Sequence, residues 1–422
     1  MRKKRLILYV VLLLGTFTTV SAQRVKDIMG RLYAQPERVY NMLLEGQGDS
    51  IIALGNAQFK VAAKAEMFNG IVPALEAQLG KFREVQGWTS VPNTQSMQVY
   101  TRDLVFEHYS IPLIVSFDAK NELAGLAFGA PKVIDKTQKQ ANEREITIET
   151  DGLRMPGLLT LPANGKEKHP CVILVHGSGP ANMNETVGGH KPFLDLAEGL
   201  SKRGIAVIRY DKRTLVHKSN YVPEGKKSDY DTETVDDALS AVALARAMGD
   251  ICPDSIYIIG HSLGAMLAPR IAGRAGKNVA GIIAMAAPAR KMRELLVEQV
   301  AYISNISQDS ARVQVDAVMG TLPPDYIAMD NTYFSVDVAK TLNIPMLFLQ
   351  GERDYQVTST DYSLWQKAIG ARSNVSMKQY PKLNHLFTEG EGASTPAEYN
   401  EEKHIPDYVL DDIAAFIRKG SL

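Results

Sequence analysis

The feature that most constrains this fold is a series of short apolar runs separated by segments of helical period. The runs cover residues 171–175, 205–209, 255–259, 279–285 and 345–349. Helical spacing covers 193–202, 235–248 and 263–275. A strand with no polar face must be covered on both sides, so this alternation predicts a largely parallel sheet between two layers of helices. Ahead of it, residues 145–149 and 153–161 alternate about Asp151-Gly152, the pattern of a β-hairpin. The expected class is α/β, with an antiparallel hairpin leading into a parallel sheet.

The chain has 422 residues, which suggests two domains. Residues 23–130 read as a small α+β domain, with helices at 50–63 and 71–82. Its strands are expected at 98–108, 111–117 and 123–128, with a turn at 118–121. No cluster of catalytic residue types occurs there. Residues 131–143 are polar and carry Lys132, Lys136 and Lys139, as a linker would. The larger domain then spans 144–422. Within it, residues 288–338 hold no strong strand. Met292, Leu296, Val300 and Ile303 share a helical face, and 311–318 offers a second helix. An insertion at this point of an α/β sheet lies above the strand C-termini, where ligands bind. It is expected to act as a cap or simply to pack there.

The first 22 residues have the order of a secretory leader. Arg2, Lys3, Lys4 and Arg5 precede an apolar run from Leu6 to Phe17, and Val20-Ser21-Ala22 precede Gln23. The run is shorter than the roughly 18–20 residues of a bilayer span. The expectation is an exported chain, periplasmic or extracellular, with no stable membrane insertion after cleavage. The full chain has 47 basic and 47 acidic residues; without the leader's four basic residues 43 face 47, a net charge of −4. That balance gives no electrostatic footprint for nucleic acid. Cys171 and Cys252 match no metal spacing and are read as free thiols, although an oxidising compartment would permit a disulfide.

The chemistry centres on Gly260-His261-Ser262-Leu263-Gly264. Any G-x-S-x-G is weak alone, but here an apolar strand runs into it and a helical pattern leaves it. That is the context of a serine exposed on a strained strand-to-helix turn. A serine hydroxyl needs a base, and His385 follows the strand-like segment 375–380. His404, in a charged stretch, is the weaker candidate. Asp354 follows the strand at 344–350 and can orient the imidazole, with Glu352 as the alternative. The Gly-rich turn His176-Gly177-Ser178-Gly179-Pro180 ends another strand. It could aim the Ser178 N–H at an oxyanion together with that of Leu263. His176 itself reads as structural. No metal or cofactor motif appears.

These four segments, in this order, resemble the α/β-hydrolase superfamily over residues 143–422. His176-Gly177-Ser178-Gly179-Pro180, Tyr210-Asp211-Lys212-Arg213 and Ala287-Pro288-Ala289-Arg290 are similar to bacterial esterases of the EstD type, though Thr214 stands where a Gly is common. That resemblance implies a small N-terminal domain of unknown role, similar to cystatin-like or nuclear-transport-factor-like modules. It also implies a carboxylesterase taking small or medium acyl groups, with a small-molecule ester as partner and no cofactor. A serine peptidase or an acyl-thioesterase on the same fold are the alternatives. An inactive binding protein on a hydrolase scaffold is the non-enzyme alternative.

Overall fold

The structure is a computed structural model and describes residues 33–91, 97–107, 109–129, 131–134, 139–163 and 168–419. The leader-like residues 1–22 lie outside this set, and the linker region lies partly outside it. The chain divides into two compact units that meet between Ile134 and Asp135.

In the N-terminal unit, helices precede an antiparallel sheet of six strands. Strands Gln98–Phe106 and Tyr109–Phe117 alternate strictly, burying Tyr100, Leu104, Phe106, Ile111, Leu113, Val115 and Phe117. One covered face and one wetter face is what such alternation produces. The expected helix at 50–63 is two helices, Gly48–Ala53 and Ala57–Ala62. The break arises because Leu54 and Asn56 bond their backbones to Leu123, with the Asn56 side chain capping the second helix. The helix expected at 71–82 stops at Leu79, because Gly80 takes φ 81° and Phe82 enters a strand. A helix over Ala34–Leu44, not among the expected elements, buries Val39, Tyr40 and Leu43.

In the C-terminal unit we number the elements in chain order. The strands are β1 (Glu143–Thr150), β2 (Leu153–Thr160), β3 (His169–Val175), β4 (Ala206–Tyr210), β5 (Ile251–His261), β6 (Gly281–Met285), β7 (Met346–Gly351) and β8 (Val375–Tyr380). Their order in the sheet is β1-β2-β4-β3-β5-β6-β7-β8. The β1–β2 hairpin turns at Asp151 (φ 52°) and Gly152 (φ 81°), and β2 pairs antiparallel with β4. From β4 through β8 every pairing is parallel.

Alternate residues of these strands enter separate cores. Ile173, Ile258, Ala284 and Phe348 pack beneath α2 (Asp236–Ala247), α3 (Leu263–Ala275) and α8 (Ser359–Ile369). Leu174, Ile259, Ile283 and Leu347 pack beneath α1 (Pro192–Lys202) and α9 (Asp407–Lys419). This accounts for the apolar runs: each strand has two dry faces.

Between β6 and β7 stand four helices, α4 (Met292–Ser304), α5 (Gln308–Met319), α6 (Pro324–Thr332) and α7 (Ser335–Thr341). The single apolar face expected for α4 is not what forms. Ile303 is 53% exposed, while Leu295 and Val297 turn inward. The reason is that α4 is covered on two sides, by a cavity and by Ala311 and Val315 of α5. The last helix, α7, packs on α3, its Ser335 hydroxyl bonded to the Met266 carbonyl.

The junction of β5 and α3 allows no side chain. A Cβ on Gly264 would lie 2.1 Å from the Val175 carbonyl oxygen, and one on Gly260 would lie 2.2 Å from that of Gly264. Gly264→Ala is therefore expected to cost about 3 kcal/mol and lower the C-terminal unit's melting midpoint by about 6–12 °C. Gly249→Ala, which meets nothing within 4 Å, should change it by less than about 2 °C. Equal midpoints for the two variants in calorimetry would contradict this packing.

Candidate active site

Ser262 sits between the last residue of β5 and the first of α3, with φ 54° and ψ −117°. Such a conformation costs a non-glycine residue on the order of 1–3 kcal/mol and persists only where neighbours enforce it. Here the Ser262 N–H is held by the Met285 carbonyl at 3.0 Å, and the Ser262 carbonyl accepts from Met266. The tight backbone packing at Gly260 and Gly264 completes the constraint. The side chain stays half-buried, at the wall of a cavity of about 320 Å³.

His385 lies on the loop after β8 and lines the same cavity. Asn384 shapes that loop, its amide oxygen accepting from the Leu386 and Thr388 N–H groups and the Thr388 hydroxyl. Asp354 follows β7, and its Oδ2 is 2.7 Å from His385 Nδ1. Its other oxygen accepts from the Gln356 and Val357 amides at 2.8 and 2.9 Å, and Gln350 donates to Oδ2 at 3.2 Å. Four donors therefore fix the orientation of this buried carboxylate. With Nδ1 against it, the imidazole carries its proton there and leaves Nε2 as the acceptor. Thus Ser262 and His385 line one cavity, and Asp354 holds His385 from behind. Glu352, by contrast, is exposed. His404 pairs with Asp195 on α1 and is absent from the cavity wall.

The turn after β3 brings Gly177, Ser178 and Pro180 to the cavity, facing Leu263 at the start of α3. The Gly177 amide is taken by Glu185 at 2.7 Å. Leu263 is the first residue of its helix, so its N–H has no intrahelical partner, and the helix dipole favours negative charge there. His176 is structural in its contacts: it faces Phe193 and Tyr210 and bonds to the Asn182 carbonyl. Burial pushes its imidazole down to about 4, which keeps it neutral.

Sequence reasoning missed a second layer behind these groups. Glu185 (φ 50°) and His261 form a buried pair, Nδ1 to Oε2 3.0 Å, and His261 Nε2 contacts the His385 carbonyl at 2.9 Å. Burial opposes charge on both. The mutual contact outweighs it, holding His261 above and Glu185 below their ordinary values. Lys212 is also buried, reaching the Gly177 carbonyl and Glu233. His261 and Lys212 both stand inside motifs already noted, which was the available signal; nothing near Glu185 marked it.

The remaining cavity wall is mostly apolar: Met266, Met292, Leu295, Leu296, Val187 and Leu386, with Tyr230, Gln299 and Gln356. Cys171 and Cys252 are both free. Among the described residues no group of three or more His, Cys, Asp or Glu could hold a metal ion.

Comparison with known proteins agrees with this architecture. Residues 172–402 match the family described as alpha/beta hydrolase, and residues 37–126 match a protein family of unknown function, DUF3887. Esterase EstD of Thermotoga maritima is 34% identical over 394 residues, 88% of this chain and 92% of that protein. The uncharacterized protein YfhR of Salmonella typhimurium is 24% identical over 232 residues, 54% of this chain and 70% of that one. Among solved structures, Est1E from Butyrivibrio proteoclasticus is 16% identical with a TM-score of 0.44, covering 65% of this chain and 98% of its own. By the family match across its C-terminal unit and the near full-length relationship to EstD, the chain belongs to the α/β-hydrolase family.

Proposed function

We propose that this protein is an exported serine esterase that cleaves carboxylic esters of small to medium acyl groups. The observation that carries the reading is the 2.7 Å contact of His385 with Asp354 on the cavity into which the strained Ser262 opens. The relationship to a protein named as an esterase supports the same class.

In this reading His385 Nε2 takes the Ser262 proton as Oγ adds to the ester carbonyl carbon. The carbonyl oxygen becomes an oxyanion held by the N–H groups of Ser178 and Leu263. Collapse of the tetrahedral intermediate expels the alcohol, which receives the proton from His385, and leaves an acyl group on Ser262. Water, deprotonated by the same imidazole, then adds to the acyl carbon and releases the acid. Asp354, bonded to Nδ1, orients the imidazole and faces the imidazolium that forms.

The wall chemistry bears on the substrate. Neither Lys nor Arg lines the cavity among the described residues, and its charged side chains, Glu185 and His261, pair with each other. Its volume of about 320 Å³ is near the low end of small-molecule sites, which run from roughly 300 to 1,000 Å³. Export rests on the leader-like residues 1–22.

Three outcomes follow. Ser262→Ala should lower kcat about 10⁴- to 10⁶-fold and Asp354→Asn about 10⁴-fold, measured on a chromogenic acetate ester. Undiminished turnover by Ser262→Ala would refute the nucleophile. In a panel of acyl esters, kcat/KM should fall steeply beyond about eight carbons, and matched thioesters and aminoacyl amides should be slower; a faster amide would make the enzyme a peptidase. N-terminal sequencing of protein expressed with its leader should begin at Gln23, and an intact Met1 would argue against export.

A further inference from the structure

The Tyr210-Asp211-Lys212-Arg213 segment has no place in the reaction as written, yet its first three residues converge on the loop that carries Ser178. Just ahead of it, Arg209 donates to the Asn184 side chain at 3.0 Å, and the Tyr210 ring packs on His176. Asp211 accepts from the Met183 N–H at 2.7 Å. Lys212 donates twice, through its N–H to the Ala181 carbonyl at 2.9 Å and through Nζ to the Gly177 carbonyl at 2.9 Å. Its ammonium is 2.5 Å from Glu233, and both side chains are at least nine-tenths buried. Glu233 stands on a short π-helical stretch, Asp231–Val235, just ahead of α2. Local departures of this kind re-aim a side chain out of the regular helical path.

The geometry matters because of which carbonyl is held. The Gly177 C=O and the Ser178 N–H belong to one peptide plane, and no described peptide is cis. In a trans peptide the two groups lie in that plane and point in opposite directions. Gripping the carbonyl from behind therefore fixes the direction of the amide in front, toward the cavity that Ser178 lines. The preceding peptide unit is held as well, its Gly177 N–H donating to Glu185. A cation on a carbonyl oxygen also polarises the amide and strengthens its N–H as a donor.

We propose that Lys212, anchored by Glu233, is a positioning residue that aims the Ser178 N–H at the developing oxyanion. This rests on the serine esterase reading, in which that N–H is one of the two oxyanion donors. Lys212 touches neither substrate nor Ser262; it acts through one peptide plane. Its contribution belongs to the tetrahedral state, where charge resides on the oxygen, and not to the bound ester.

The test uses the charge-neutral double variant Lys212→Met, Glu233→Gln in the full chain, with Glu233→Gln alone as the milder variant should the double fail to fold by circular dichroism. For the double variant kcat on an acetate ester should fall about 10- to 100-fold, less than the 10²–10³ seen on deleting an oxyanion donor outright. KM should stay within about twofold. The inhibition constant of a trifluoromethyl ketone, whose hemiketal oxyanion occupies the same hole, should rise by the same factor as kcat falls. Glu233→Gln should show the same parallel shifts at about 3- to 10-fold. A folded variant whose kcat falls while the ketone binds unchanged, or whose kcat does not fall, overturns the proposal. Failure of the underlying reading is told apart by Ser262→Ala in the wild-type background, which would then retain turnover and remain unlabelled by a fluorophosphonate like the parent.

Discussion

Everything at the site depends on one contact between backbones. Gly264, in the first turn of α3, lies so close to the end of β3 that even a methyl group would collide with the Val175 and His176 carbonyls. That approach joins the helix start that would receive the oxyanion to the turn that carries Ser178. It also forces the intervening Ser262 into a backbone conformation that L-residues avoid. The strain at one residue is sustained by a sheet whose central strands are buried on both faces, so relief would mean separating β3, β5 and α3 together.

Around this junction the protein buries an unusual amount of charge. Arg209 pairs with Glu143, Lys212 with Glu233, and Arg213 with Asp237, all nearly inaccessible to water. Buried pairs gain little net stability over apolar packing, because desolvation offsets most of their attraction. What they supply is direction: each cation is a donor that must find a specified oxygen. Along this segment those oxygens lie on β1, on the loop that follows β3 and at the start of α2. The Glu185–His261 pair extends the same logic to the elbow and, through the His385 carbonyl, to the loop that carries His385.

Where expectation and structure part, the cause is consistent. The parallel strands were legible because two dry faces leave an unbroken apolar run, and the hairpin because Asp151-Gly152 suits positive φ. The split at Leu54–Asn56 was not, since it comes from bonds to Leu123 nearly seventy residues away. The face of α4 was misjudged because periodicity assumes one covering partner, and α4 has two. Ser262, Asp354 and His385 were singled out by residue type and position after strands, and the structure brings Asp354 and His385 into contact. Glu352 and His404 fit the same order and were separated from the better candidates only by context; burial is what parts them, since Glu352 remains exposed and His404 is held by Asp195.

Sequence alone therefore specified the layered α/β architecture, the elbow and the loops that carry Asp354 and His385, because hydrophobic periodicity and glycine placement are local properties written residue by residue. It was silent on how the Ser178 amide is aimed, on Glu185 behind the elbow and on the size and apolarity of the cavity. Those depend on which backbone carbonyl a distant lysine can reach and on how α4 comes to line the cavity beside Ser262. Such relations exist between segments far apart in the chain, so they arise only when the sheet has formed and its loops have been brought together.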